Sequence, residues 1–177
     1  MARSQARQRL LAAAVDQAAR GGIIDQSLRE IAAAIGTSHR MLLYHFGSRE
    51  GLLSAICNAL NEAATSDLDS WEDPRQLFEH YTAPEAWPFE RLFIELYAHN
   101  LLGGPDSEEF FQASVHRWID ELAKQLVKAG ADESTARTQS RLHLAVARGL
   151  LLDLLATSDR EGVHQAYEHY LQLVGHT

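Results

Sequence analysis

Apolar residues recur along this chain at steps of three and four, and nowhere alternate one by one as they do in half-buried strands. Leu10, Leu11, Ala14, Val15 and Ala18 form one face of a helix expected from about residue 4 to 19, ended by Gly21-Gly22. Leu28, Ile31, Ala32 and Ile35 form a second, short face. Ser27 precedes it with Glu30 three residues on, a spacing at which each side chain can satisfy the other residue's backbone N–H. Gly36 stops that helix, because glycine enters the left-handed region without a Cβ clash. Thr37 or Ser38 can cap a third helix through His45, Gly47 breaks it, and Ser48 caps a fourth running through Ile56 and Leu60 to about residue 66.

The same punctuation continues downstream. Asp73-Pro74 is an N-cap followed by proline in the first turn, where no N–H is needed, and opens a helix to Tyr81. Residues 82–87 contain Pro84 and read as a loop, and Pro88 opens a helix ending at Gly103-Gly104. Asp106 and Glu109 form another capping box, opening a helix to about residue 129 that Gly130 stops. Asp132 caps a helix to about residue 157, and Asp159 caps the last, to Val174. The chain is expected to be all-α, with about nine helices.

The last two of these differ in kind. Val163, Ala166, Tyr167, Tyr170, Leu171 and Val174 make one clean stripe, whereas Leu142, Leu144, Val146, Leu150, Leu151, Leu152 and Leu154 surround their helix almost completely. A helix apolar all round is covered on more than one side. It is either central to one chain or shared with a second copy. The second reading is preferred because helix-turn-helix readers use two-fold symmetry to match two half-sites.

Residues 27–53 carry the strongest signal: a short helix, a tight glycine-containing turn and a second helix are the layout of a DNA-binding helix-turn-helix. Over roughly residues 5–60 the chain resembles the TetR family of bacterial transcriptional regulators. The matching features are Arg29 to Ala32, Gly36-Thr37-Ser38, Leu43-Tyr44-His45-Phe46, and Ser48-Arg49-Glu50 leading to Leu52-Leu53. Arg49 departs from the lysine usual there, which keeps a cation but changes its geometry. The resemblance implies a helix-turn-helix domain over residues 1–47. Residues 48–177 would form a helical regulatory and dimerisation domain, with the fourth helix as connector.

Net charge is −8, which at first argues against nucleic acid. The distribution reverses this. Residues 1–50 hold seven arginines against four acids, a balance of +3 that leaves −11 for the remainder. A basic head on an acidic body focuses attraction for a polyanion at one end. The single cysteine, Cys57, excludes an internal disulfide and fits a reducing cytoplasm. The basic start is followed by alanine-rich helix, unlike a signal peptide, and Arg148 and Asp153 interrupt the longest apolar stretch, so no membrane span is expected.

Candidate residues follow from position. Arg40, early in the third helix, can donate two hydrogen bonds to guanine, with His39 donating to a base edge or phosphate and Met41 offering an apolar contact to a thymine methyl. Ser27, Thr37, Ser38, Tyr44, His45 and Arg49 are expected to meet phosphates, which set position rather than sequence. Ile35, Leu43 and Phe46 are expected in the core. For a ligand, Phe78, Trp87, Phe93, Tyr97, Trp118 and His143 bring large apolar surfaces and a polar handle, although an aromatic stripe at helical spacing is more often core. Trp71 belongs to the same aromatic-rich stretch. Ala147, Leu151, Leu154, Tyr167 and Tyr170 are candidate dimer contacts.

No H-x-x-x-H pair, P-loop, G-x-G-x-x-G or G-x-S-x-G pattern is present, so neither a metal, a cofactor nor a catalytic role is expected. The reading is a dimeric, cytoplasmic repressor that binds a palindromic double-stranded DNA operator and is released by a small apolar effector. The competing reading is a helical ligand-carrier or protein-interaction module that no longer reads DNA.

Overall fold

The computed structural model describes residues 2–66, 68, 73–103 and 107–175, and all regular structure among them is helical. In chain order the helices are α1 (Ala2–Gly21), α2 (Leu28–Ala34), α3 (His39–Phe46), α4 (Arg49–Ser66), α5 (Pro74–Thr82) and α6 (Trp87–Leu101). After these come α7 (Ser107–Phe111), a π-helical turn (Gln112–His116), α8 (Arg117–Lys128), α9 (Glu133–Thr157) and α10 (Arg160–Leu173).

The helix ends are set by the residues that the sequence marks. Asp73 Oδ1 accepts from Arg75 N at 2.8 Å, Asp132 Oδ1 from Thr135 N at 3.0 Å and Asp159 Oδ1 from Gly162 N at 2.9 Å. Each bond satisfies a first-turn N–H that has no partner inside its helix. The segment from residue 107 to 128 is not one helix as expected. The π turn at Gln112–His116 interrupts it, leaving a single short turn, α7, on its N-terminal side. Periodicity alone does not reveal one extra residue in a turn. Asp106, expected to cap this segment, and Trp71 lie outside the described residues.

The chain forms two compact units. The first comprises residues 1–63 and 88–113, the second residues 64–87 and 114–177. This differs from a division after Gly47, and the reason is burial. Leu52, Leu53 and Ile56 of α4 and Leu92 and Leu96 of α6 are buried in the same core as Ile31 and Leu42. Helices α2 and α3 are too short to enclose a core unaided, so α1, α4 and α6 supply its walls.

The second unit holds two buried clusters. Phe78, Leu151, Leu154, Val163, Tyr167 and Leu171 form one, between α5, α9 and α10. Leu68, Trp118, Ile119 and Leu144 form the other, chiefly between α8 and α9. Helix α9 serves both, which explains much of its all-round apolar character.

Candidate nucleic-acid interface

The interface begins with the caps of α2. Ser27 Oγ accepts from Glu30 N at 3.3 Å, and Glu30 Oε2 accepts from Ser27 N at 2.7 Å, a complete capping box. The bonds from Ser27 hold the Glu30 carboxyl below its ordinary range. Gly36 takes a φ of 70°, and the chain turns so that Thr37 N donates to Ala32 O at 2.9 Å. Ser38 Oγ then caps α3 by accepting from Met41 N at 3.2 Å.

Helix α3 divides cleanly into faces. Leu42 and Phe46 are buried, while Arg40, Met41, Leu43 and Tyr44 are exposed. Leu43 thus departs from its expected core position: it is 39 % exposed, one turn on from Arg40 and on the same side. Thr37, Ser38, His39, Arg40, Met41 and Tyr44 lie together on the turn and this helix, as their spacing predicts. His45 is turned inward in part. Its Nε2 is enclosed and has no hydrogen-bond partner, so that nitrogen cannot reach a phosphate.

Arg49 has a different task from the one expected of it. Its Nε donates to Gln26 O at 2.8 Å and its Nη2 to Ile23 O at 3.4 Å and to Ile24 O, while Nη1 lies 3.8 Å from Glu50 Oε1. The guanidinium is committed to the loop before α2 and does not face outward to a phosphate. On the other side of that loop, Glu95 Oε1 of α6 accepts from Ile23 N at 3.1 Å and Ile24 N at 2.9 Å. Glu95 escaped the sequence reading. Its signal was a carboxylate lying between the buried Leu92 and Leu96 on the inward side of α6. The turn into α4 is equally fixed: a Cβ at Gly51 would collide with Phe46 O.

The expected ligand residues do not form one cluster. Phe93 and Tyr97 belong to the first unit, where their rings meet Phe110 at 6.2 and 5.7 Å. Phe78, Trp87, Trp118 and His143 belong to the second, but Phe78 and Trp118 sit in different clusters. Phe78 stacks on Tyr167 at 3.8 Å, Trp87 Nε1 donates to Thr82 O at 3.0 Å, and His143 Nε2 lies 3.0 Å from Tyr167 Oη. Burial pushes the Tyr167 hydroxyl well above its ordinary pKa. The first unit also has a cleft between α4, α6 and α7, lined by Ser54, Cys57, Asn58, His99, Asn100 and Phe110 among others. No group of three or more His, Cys, Asp or Glu among the described residues is placed to hold a metal ion.

Three of the dimer candidates need correction. Leu151, Leu154 and Tyr167 are buried in the chain's own core, and Ala147 and Tyr170 pack half-buried against it. The exposed apolar surface of α9 lies on another side, at Leu142, Ala145, Leu152 and Ala156.

Residues 10–56 match the family described as bacterial regulatory proteins, tetR family. Among curated proteins, no sequence matches the chain. Solved structures match its fold over nearly the whole length. A transcriptional regulator from Rhodococcus sp. Rha1 has a TM-score of 0.77 at 21 % identity, covering 94 % of each chain. A TetR-family transcriptional regulator from Pectobacterium atrosepticum has a TM-score of 0.63 at 20 % identity, covering 98 % of this chain and 93 % of the other. The multidrug binding protein EbrR complexed with ethidium has a TM-score of 0.67 at 23 % identity, covering 93 % of this chain and 97 % of the other.

Proposed function

Through residues 10–56 the chain belongs to the tetR family of bacterial regulatory proteins, and from that premise we propose that it is a ligand-responsive repressor acting as a cytoplasmic homodimer. As a DNA-binding transcriptional regulator it presents one outward face on α3. That face carries the proposal: Arg40, Met41, Leu43 and Tyr44 are exposed together on a helix whose both ends are capped and whose opposite side is core. Arg40 reads a guanine, Met41 and Leu43 supply apolar contact to thymine methyls, and Ser38 and Tyr44 meet phosphates. The unit of residues 1–63 and 88–113 is the reading unit, and the unit of residues 64–87 and 114–177 carries the regulatory and dimer contacts.

Two copies related by a two-fold axis would match the two halves of a palindromic operator. The contact runs along α9, where Leu142, Ala145, Gly149, Leu152 and Ala156 are all exposed and succeed one another at steps of three and four. Leu173 of α10 is exposed as well.

The effector is a small, largely apolar molecule. Binding it must favour the conformation that does not bind DNA, and DNA must weaken the effector by the same factor. EbrR, a structure of the same fold, holds ethidium, which supports an aromatic effector class here. Among the described residues, no helix is long and apolar enough to cross a membrane.

Selection of bound sequences from random DNA tests the reading. A palindromic consensus is expected, with half-sites one helical turn or a multiple of it apart. Failure to enrich any sequence overturns it. Metabolite screening for release from the selected duplex then tests the effector claim.

A further inference from the structure

The arginines of this chain fall into groups by what holds them. In the second unit, Arg75 pairs with Glu168 at 2.8 Å, Arg137 with Asp120 at 2.6 Å, and Arg160 with Glu79. Each of those cations faces a carboxylate. At the start of α1 the arrangement is different. The Arg3 guanidinium lies 4.6 Å over the ring of Tyr44, and that of Arg7 lies 5.0 Å over the ring of Phe46. No carboxylate among the described residues is placed against either.

The difference matters chemically. A carboxylate partner neutralises an arginine and occupies its N–H groups. An aromatic face attracts the cation through its quadrupole and leaves the in-plane N–H donors free. Arg3 and Arg7 are four residues apart and therefore share a side of α1. That side lies against the C-terminal half of α3. Arg3 itself is exposed, and Tyr44, the ring beneath it, is 57 % exposed.

We propose that Arg3 and Tyr44 act as one phosphate-gripping pair on double-stranded DNA, with the Tyr44 ring holding the Arg3 guanidinium beside the reading helix. This rests on the DNA-binding reading above and adds α1 to the contacting surface. Tyr44 donates its hydroxyl to a phosphate oxygen. Arg3, oriented by the ring, donates to the same or the neighbouring phosphate. The pair carries no sequence information, because phosphates are the same at every base pair. A ring at position 44 therefore serves twice, as a donor and as the seat of a cation.

The test uses the full chain and a short duplex of random sequence, with affinity measured by fluorescence anisotropy across a series of salt concentrations. Each phosphate neutralised contributes close to one unit to the slope of log affinity against log salt. Arg3→Ala should weaken binding several-fold and reduce that slope by about one. Arg3→Lys should keep the slope, since the charge remains. Tyr44→Phe should keep the Arg3 effect, because the ring remains, whereas in a Tyr44→Ala background the Arg3→Ala effect should shrink by about two- to fivefold. Far-ultraviolet circular dichroism establishes that each variant is folded.

An unchanged slope in Arg3→Ala overturns the inference, as does an Arg3→Ala effect equal in the Tyr44 and Tyr44→Ala backgrounds. In both cases salt-dependent binding by the wild type leaves the DNA-binding reading standing. A folded wild type without salt-dependent binding to any duplex removes that reading and this inference with it.

Discussion

Glu95 of α6 holds the backbone of Ile24 through a hydrogen bond of 2.9 Å, and the same oxygen takes the neighbouring N–H of Ile23. The carbonyls of those two residues point to Arg49 at the start of α4. One loop is thus held from both polar sides, by a carboxylate on its donors and a guanidinium on its acceptors. The loop ends at Ser27, where the reading unit starts. Helix α6 therefore does more than wall the core: it fixes where α2 begins, and through α2 the aim of α3.

Removing that carboxylate should be costly. Glu95→Ala leaves two half-buried N–H groups without their acceptor, at about 1–3 kcal/mol of stability. Glu95→Gln keeps an acceptor and loses only the charge assistance, so it should fall between the two. Urea denaturation of the three proteins gives the order. Equal midpoints for all three would mean that the loop finds other partners without cost.

Arg40→Ala should cost about 1–3 kcal/mol on the selected site and relax the base preference at one position in each half-site. Tyr44→Phe should weaken all sequences about equally, since a phosphate contact is sequence-blind. Affinities on the selected duplex and on a random one separate the two effects. An Arg40→Ala variant with unchanged base preference would move the reading role to Leu43 or Met41.

Acid should loosen α2. The Glu30 carboxyl is held below its ordinary pKa by its bonds with Ser27. A carboxyl depressed in the folded state stabilises above its unfolded pKa, and that contribution is lost as pH falls through the folded value. Glu30→Gln should therefore be less stable than the wild type at neutral pH and approach it on the acid side, so that its stability falls less as pH drops. Thermal midpoints measured from neutral pH down into the carboxylate range test this, and a variant as acid-sensitive as the wild type would contradict it.

What the sequence shows of this protein is what depends on neighbours in the chain. Ser27, Gly36, Ser38, Asp132 and Asp159 act within a few residues of themselves, and each stands where its chemistry places it. What depends on distant elements was hidden. Its position at the start of the fourth helix marks Arg49 as a phosphate contact, but three carbonyls of the loop before α2 claim it. Leu43 looked like core because it is apolar, yet its angular position on α3 puts it beside Arg40. The aromatics expected to form one pocket are divided between units because α6 packs with the reading head, which no local pattern reveals.

The proposed dimer surface shows the same limit and gives the sharpest test. An apolar count for α9 does not say which side faces its own core. Leu154 is 0 % exposed and Leu152 is 52 % exposed, two residues apart on one helix. Their substitution by glutamate should therefore have opposite consequences. Leu154→Glu buries an unpaired charge inside the monomer, and the chain should lose its fold. Leu152→Glu places that charge on the exposed stripe shared with Leu142, Ala145, Gly149 and Ala156. The monomer should keep its helical signal while two like charges meet across the two-fold axis and split the dimer. Sedimentation at micromolar concentration should show a dimer for the wild type and a folded monomer for Leu152→Glu. Affinity for the palindromic duplex should fall with it, because each half-site would then be bound singly. A wild type that sediments as a monomer, or a Leu152→Glu variant that remains a dimer, would show that α9 is not the contact.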